Sequence, residues 1–307
     1  MEQLYKDFEK LVKKQHDRQR RTFAPFDTTC FRIYDRQQAE IPVTVDRYGD
    51  YVRIEGDVDS AEMERLKDSV VRMTYTEEDH VICRQRRTTP GGEGPDNPQG
   101  MPQRIEVREM GITYLVDLWN YRDTGLYLDH AVTRDLVKDH ALGRHVLNLF
   151  CYTGSFTIAA AAGGAGETLS VDLSNTYLSW FQDNLKINGL SGPMHRMLRE
   201  DALAFLESPP KGTGKFHMII LDPPTFSNSH RMDQTFSVQR DHPWCIQQAS
   251  LLLAEGGVII FSTNYSSFRL DPQLKQRFIA KEITRETIPP GFTAKRFPHR
   301  CWMITRR

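Results

Sequence analysis

Asp222-Pro223-Pro224-Thr225-Phe226 closes the apolar run 216–222. The two prolines fix the backbone and remove its donors, so Asp222 and the neighbouring carbonyls are held rigidly. Phe226 offers a flat face on which a base can stack, worth on the order of 1–3 kcal/mol. A rigidly held carboxylate beside such a ring suits a site that takes a base. The competing reading is a rigid turn with a core phenylalanine.

Three other apolar runs end in residues that could serve the same chemistry. HVLNLF (145–150) contains Asn148 and leads through Cys151, Tyr152 and Thr153 to Gly154. A glycine there lets the chain turn sharply and approach a ligand without a Cβ in the way. It is a lone glycine, not a GxGxxG fingerprint, and a tight turn with no ligand competes. LSVDLS (169–174) carries Asp172, followed by Leu173 and Ser174. A carboxylate about 20 residues beyond a glycine turn is where ribose hydroxyls are held in nucleotide sites, although Asp172 or Ser174 could instead cap the next helix. Asp201, between Glu200 and Ala202, could accept the exocyclic amine of adenine or act as another N-cap.

These positions imply the elements that hold them. From about residue 124, helices over 129–139, 155–163, 175–188, 201–207 and 240–254 alternate with strands over 145–150, 169–174, 195–199, 216–222 and 256–263. Short apolar runs alternating with amphipathic helices predict an α/β domain: a largely parallel, doubly wound sheet covered on both faces. Ligands of such sheets sit beyond the carboxyl ends of the strands, near the switch point. Before it, a helix over 2–21, strands over 30–34, 42–46 and 51–55, a helix over 59–77 and strands over 104–110 and 112–118 predict a smaller α+β subdomain. The Gly/Pro-rich segment 88–103 reads as a mobile loop. The domain boundary is placed near 120, giving 1–120 and 121–307.

Lys plus Arg and Asp plus Glu both number 40, so total charge gives nucleic-acid binding no support. The distribution does more. The first 22 residues hold seven Lys/Arg against four Asp/Glu, and Arg84, Arg86 and Arg87 cluster before the loop; either group could bind phosphate or merely be solvated. Five scattered cysteines without a CxxC pair are expected to be reduced thiols of a cytoplasmic protein with no metal site. No apolar run approaches the roughly 20 residues of a membrane span, and the charged start lacks the apolar core of a signal peptide.

Asp-Pro-Pro-aromatic sequences after a buried strand recur in enzymes that methylate ring or exocyclic nitrogens. Residues 148–268, with NLFCYTGSFT, SVDLSNTYLSW, DNLKINGL, LDPPTFSNSHRM, FSVQRDH and GGVIIFSTNYSSF, resemble the K half of the bifunctional bacterial 23S rRNA guanine methyltransferases (RlmK of RlmKL). The likeness extends to CFRIYD (30–35), VTVDRYGDYV (43–52), VDLWNYRDTGLYLDH (116–130) and CWMIT (301–305). It implies a Rossmann-like class I catalytic domain that uses S-adenosylmethionine, releases S-adenosylhomocysteine, and forms 7-methylguanosine in 23S rRNA or a large-subunit assembly intermediate. The N-terminal subdomain is then expected to help hold RNA, with Arg84, Arg86, Arg87 and Asn264 facing it. By the same resemblance Asn148, Phe150, Tyr152, Thr153 and Gly154 line the cofactor's amino-acid end. Asp172, Leu173 and Ser174 take the ribose, and Asp201 and Ala202 the adenine side. Asp222, Pro223 and Pro224 lie between sulfonium and target base, and Asp129 and His130, within Thr124–His130, pack on the cofactor. Ala131 stands where the family pattern has arginine, so that arginine's role is absent or moved. The half that methylates guanine N2 is expected to be missing, making this a freestanding version.

Guanine N7 has a lone pair and no proton to lose, so alignment rather than a general base would dominate. Methylation of cytosine C5 would need a thiolate, and the related cytosine enzymes carry it after the fifth strand; here that stretch reads Phe261-Ser262-Thr263-Asn264. Guanine N2 or adenine N6 methylation remains open, as does an rRNA-binding assembly factor without catalysis.

Overall fold

The computed structural model describes residues 2–85, 104–121, 123–227, 235–293 and 297–307. It divides into two compact units, Met1–Leu128 with Pro289–Lys295, and Asp129–Ile288 with Arg296–Arg307.

In the first unit, α1 (Glu2–Phe23) and α2 (Ser60–Thr74) accompany a sheet of β1 (Cys30–Asp35), β2 (Val43–Tyr48), β3 (Tyr51–Gly56) and β4 (Val81–Gln85), in that order. A hairpin of β5 (Ile105–Glu109) and β6 (Ile112–Val116) follows. The buried stripe of α1, Phe8 and Val12, packs with Ile33, Val45, Val52, Ile54 and Val70 into one core. Asp59 caps α2 by accepting from Glu62 N, which satisfies a donor that the first helical turn leaves over. Strand β4 was not expected from the sequence.

The second unit is built on a seven-stranded sheet. Its elements are α3 (Ala131–Asp139), β7 (His145–Leu149), α4 (Ser155–Ala162), β8 (Glu167–Asp172), α5 (Asn175–Ile187), β9 (His195–Arg199), α6 (Ala202–Glu207) and β10 (Phe216–Leu221). A two-residue pair, β11 (Phe226–Ser227) and β12 (Phe236–Ser237), precedes α7 (Val238–Leu251), β13 (Leu253–Thr263), β14 (Phe278–Glu282), α8 (Thr284–Thr287) and β15 (Arg300–Arg306). The sheet order is β14-β15-β13-β10-β7-β8-β9. Strands β13 to β9 run parallel, whereas β15 and β14 return antiparallel.

Alternation explains why parallel strands are apolar throughout. On β10, Met218 and Ile220 enter one core with Val146, Phe156 and Ile260, while Ile219 and Leu221 enter the opposite one with Leu147, Phe205, Ile246 and Phe261. Each fully buried side chain of this size contributes roughly 1.5–3 kcal/mol. The chain steps outward from β7 to β8 and β9, then returns to lay β10 on the other side of β7. The switch point therefore lies between β7 and β10. No helix among the described residues is long and apolar enough to cross a membrane.

Candidate active site

Register brings the strand ends level. Leu149 is paired with Leu221 and Val171, and Leu221 with Phe261. The next residues along, Phe150, Asp222, Asp172 and Ser262, therefore form one row across the carboxyl edge of the sheet. The sequence placed the first three there, and Ser262 joins them. Its hydroxyl donates to Asp222 Oδ1 at 2.6 Å, which fixes the carboxylate that Pro223 and Pro224 already restrain from the other side.

The turn after β7 is wound tightly. Phe150 (φ 57°), Tyr152 (φ 52°) and Gly154 (φ 74°) all adopt left-handed backbone. Glycine is required at 154 for a second reason as well: a Cβ there would lie 2.0 Å from the ring of buried Phe181. The space it leaves is thus filled by α5, and the sequence argument from ligand approach is replaced by one from packing. Tyr152 N donates to Asp172 Oδ2 at 2.8 Å, and Ser174 N donates to Asp172 Oδ1 at 2.9 Å. The carboxylate is thereby aimed, with a lone pair on each oxygen still available. Burial raises its pKa, while those backbone donors pull it down.

The helix-capping alternatives separate cleanly. Ser174, not Asp172, caps α5 by accepting from Tyr177 N. Asp201 caps α6, with Leu203 N donating to Oδ1 at 2.9 Å. Asn148, Thr153 and Ala202 are buried. The Asn148 amide donates to Thr157, which is bonded in turn to Ser170, and Thr153 O accepts from Asn184. Asn148 and Thr153 thus hold the turn in place from behind.

Two apolar side chains stand out from this edge: Leu173, 60% exposed beside Asp172, and Phe226, 63% exposed beyond Asp222. Phe226 is not a core residue, contrary to the competing reading; its ring meets Tyr265 edge-on at 6.4 Å. Thr225 Oγ1 donates to Asn264 Oδ1 at 2.6 Å, joining the ends of β10 and β13.

The sequence reading missed His299. It precedes β15, and because β15 runs antiparallel to β13, with Cys301 opposite Ser262, the chain re-enters the sheet at the same carboxyl edge. His299 Nδ1 donates to Asp129 Oδ2 at 2.9 Å, and its ring stacks on His130 at 4.1 Å, 13° from parallel. His130 Nε2 lies 3.7 Å from Asp222 Oδ2 and 3.9 Å from Asp129 Oδ2. Burial, helped by His299, drives the His130 pKa down to about 4, so the ring is neutral at pH 7. Asp129, His130 and His299 bring possible metal ligands within 4.8 Å of one another. Imidazole lone pairs lie in the ring planes, however, and two rings stacked face to face have separate planes, so His130 and His299 cannot both aim at one ion. Ala131, where the family pattern has arginine, is buried; Arg134, one helical turn on, is buried too, with its guanidinium 5.8 Å from the Phe156 ring.

Burial raises the thiols of Cys151, Cys245 and Cys301, and that of Cys83 to about 11; none of these is a thiolate near neutral pH. In the first unit Arg84 is buried and donates to the carbonyls of Trp119 and Tyr121 at 2.8 and 3.3 Å. Its guanidinium is committed to the interior rather than presented to a polyanion. Arg86, Arg87 and the segment 88–103 lie outside the described residues.

An adenosyl cofactor is tested by this geometry. The aimed diol acceptor at Asp172, the exposed apolar face of Leu173 next to it and the carboxylate at Asp222 fit a ribose, an adenine face and a sulfonium. Comparison with known proteins agrees. Ribosomal RNA large subunit methyltransferase K/L of Syntrophotalea carbinolica is 40% identical over 98% of this chain and 43% of its own length. The protein of that name from Pseudomonas aeruginosa is 39% identical over 91% of the chain and 39% of its own length. The chain thus spans about two fifths of the curated relatives it matches. Among solved structures, a methyltransferase complexed with SAH superimposes with a TM-score of 0.77 at 25% identity, over 99% of this chain and 82% of that one. A SAM-dependent methyltransferase from Agrobacterium tumefaciens shares the fold, with a TM-score of 0.60 at 16% identity over 91% and 90% of the two chains. Residues 76–297, more than two thirds of the chain, match a single family: the chain belongs to the S-adenosylmethionine-dependent methyltransferases.

Proposed function

We propose that this chain methylates N7 of a guanine in large-subunit ribosomal RNA. The substrate class is carried over from the relatives named ribosomal RNA large subunit methyltransferase K/L. The observation that carries the chemistry is the pairing of a fixed Asp222 with an exposed Phe226 at the switch point, where, among the described residues, no thiolate is available and the nearest imidazole is a weak base.

S-adenosylmethionine supplies an electrophilic methyl group on a sulfonium. Asp172 accepts from the ribose hydroxyls, Leu173 packs on the adenine, and Asp201 accepts from its amine. Phe150 and Tyr152, on the turn that Thr153 and Gly154 brace by packing, form the wall at the amino-acid end. Phe226 stacks the target base, and Asp222 stabilises the positive charge that passes from the sulfonium side to the purine. N7 lies in the deep major groove of A-form RNA, which side chains reach poorly, so the guanine is taken unpaired or extruded. Phe226, standing clear of the protein, suits a base presented that way.

The test is mass mapping of modified nucleosides in 23S rRNA from cells lacking this protein. One 7-methylguanosine should disappear. Loss of N2-methylguanosine or N6-methyladenosine instead would move the target atom, and an unchanged map would remove rRNA methylation altogether.

A further inference from the structure

The first unit carries an exposed aromatic ring that its fold does not ask for. Tyr75 ends α2 in the left-handed region (φ 54°, ψ 39°), where a side chain crowds the backbone and glycine is the usual residue. Its neighbours hold it there. Thr74 and Thr76 are both buried and their hydroxyls bond to each other at 2.8 Å, so the residue between them is turned outward. Tyr75 is 71% exposed. Among the described residues its ring meets Lys13 of α1, whose ammonium donates to the phenol oxygen and lies 4.6 Å from the ring centroid. A strained backbone that buries so little in return points to function rather than packing.

Thr76 joins that ring to a guanidinium. Arg47 of β2 is half-buried; its Nε donates to Gly49 O at 2.8 Å and its Nη1 to Thr76 Oγ1 at 3.3 Å, with His16 Nε2 3.5 Å from Nη1. These partners are neutral, and Nη2 has none among the described residues. Burial, and then the charge of Arg20, holds the guanidinium below its usual range, with Asp50 opposing. Arg47, Arg20 and Lys13 all press on the buried ring of His16, against Asp17, which lies 3.6 Å from Lys13 Nζ. A guanidinium fixed by neutral groups, with a second cation at its side, is arranged for a phosphate. We propose that Tyr75, Arg47 and Arg20 form a binding site for an unpaired nucleotide of the RNA substrate: the base stacks on the ring face opposite Lys13, and the two guanidinium groups take its phosphate. The site rests on the reading of RNA as substrate and uses none of the residues at the strand ends of the second unit.

The test sets stability against binding. Glycine at 75 relieves the backbone and removes the ring, so the two properties should move in opposite directions. Thermal unfolding would be followed together with filter binding, across a range of salt, of a 23S rRNA transcript and of a fully paired 12-base-pair RNA duplex, whose bases are closed to stacking. In Tyr75→Gly the Tm should rise by about 2–4 °C. Its Kd for the transcript should rise about tenfold with the salt slope unaltered, and its Kd for the duplex should stay within twofold. Tyr75→Phe keeps the ring and should bind the transcript within threefold of the wild type. Arg20→Ala, at an exposed position, should lower the log–log salt slope on the transcript by about 0.7. Wild-type affinity in Tyr75→Gly overturns the proposal. A less stable Tyr75→Gly that binds both RNAs more weakly alike also overturns it, because the ring then only supports the fold. A loss in Tyr75→Phe as large as in Tyr75→Gly assigns the effect to the hydroxyl and Lys13, and refutes stacking. If the wild type itself binds neither RNA, the rRNA substrate falls, and this site with it.

Discussion

Replacing Asp172 with asparagine changes one oxygen for an NH2 and tests the site at its best-defined point. Both oxygens now accept a backbone N–H, from Tyr152 and from Ser174. An amide has one acceptor, so one of those donors must face another donor. An unsatisfied buried donor costs about 1–3 kcal/mol, and for a domain of this size each kcal/mol lowers Tm by roughly 2–4 °C. The ligand-free variant should therefore melt about 2–12 °C lower. The cofactor loses more. A hydrogen bond to a charged acceptor is worth roughly 1 kcal/mol more than one to a neutral acceptor, and a ribose diol makes two. About 2 kcal/mol corresponds to roughly a 30-fold rise in Kd. S-adenosylhomocysteine is the right ligand for calorimetry, because it keeps the ribose and lacks the sulfonium, and Asp201→Asn provides a control on the adenine side. A Kd within threefold of the wild type, with the expected loss of Tm, would show that Asp172 only braces the turn and does not hold the ribose.

Gly154→Ala should destabilise the second unit by about 2–5 kcal/mol, from roughly 1–2 for left-handed alanine and 1–3 for the clash with Phe181. Denaturant unfolding of Gly154→Ala with and without Phe181→Leu checks it: purely additive effects would show that the ring is not the obstacle. His16 is buried in α1 and its pKa is driven down to about 4, chiefly by burial and then by Arg47 and Arg20. The unfolded chain therefore takes up a proton near pH 6.5 that the folded chain refuses, and stability present above 6.5 is lost as pH falls toward 4, by up to about 3 kcal/mol. His16→Gln should flatten that part of the stability–pH curve, and an unchanged slope would contradict the assignment. Alanine at the exposed Lys10, Lys14 and Arg18 of α1 should weaken RNA binding and reduce the log–log salt slope by up to about 2; an unaltered slope would show these charges to be solvated only.

The strand ends were legible because a parallel strand buried on both faces must be apolar throughout and then stop at the residue that meets solvent. Asp172 and Asp222 are conspicuous for that reason. Other features lacked such a signature. Strands β14 and β15 lie past the parallel set, and β14 is an edge strand whose Ile279 is exposed, so its sequence does not read as buried. His299 joins the site only because β15 runs backwards against β13, a pairing no local pattern announces. Arg84 looks like its neighbours Arg86 and Arg87 in sequence, yet three-dimensional context turned its donors onto two carbonyls. Gly154 was placed correctly as a turn residue, but what its missing Cβ makes room for is the Phe181 ring, 27 residues on, which spacing does not reveal.

The proposal of N7 over an exocyclic amine draws its support from what surrounds Asp222 among the described residues. An amine that accepts a methyl group must shed a proton, and a site built for that keeps a base with a pKa near the working pH. His130, the imidazole nearest Asp222 among the described residues, is held at about 4, too low to take a proton efficiently at pH 7. N7 asks for no such base; it needs alignment and a negative charge to meet the purinium. Transcripts made with 7-deazaguanosine separate the two, because a C–H replaces N7 while the Watson–Crick edge, N2 included, is intact and the RNA still folds. Methyl transfer from S-adenosylmethionine should vanish on the deaza transcript and persist on one containing inosine, which lacks N2. Undiminished transfer to the deaza transcript would place the accepting atom elsewhere and oblige some other group in the site to act as the base.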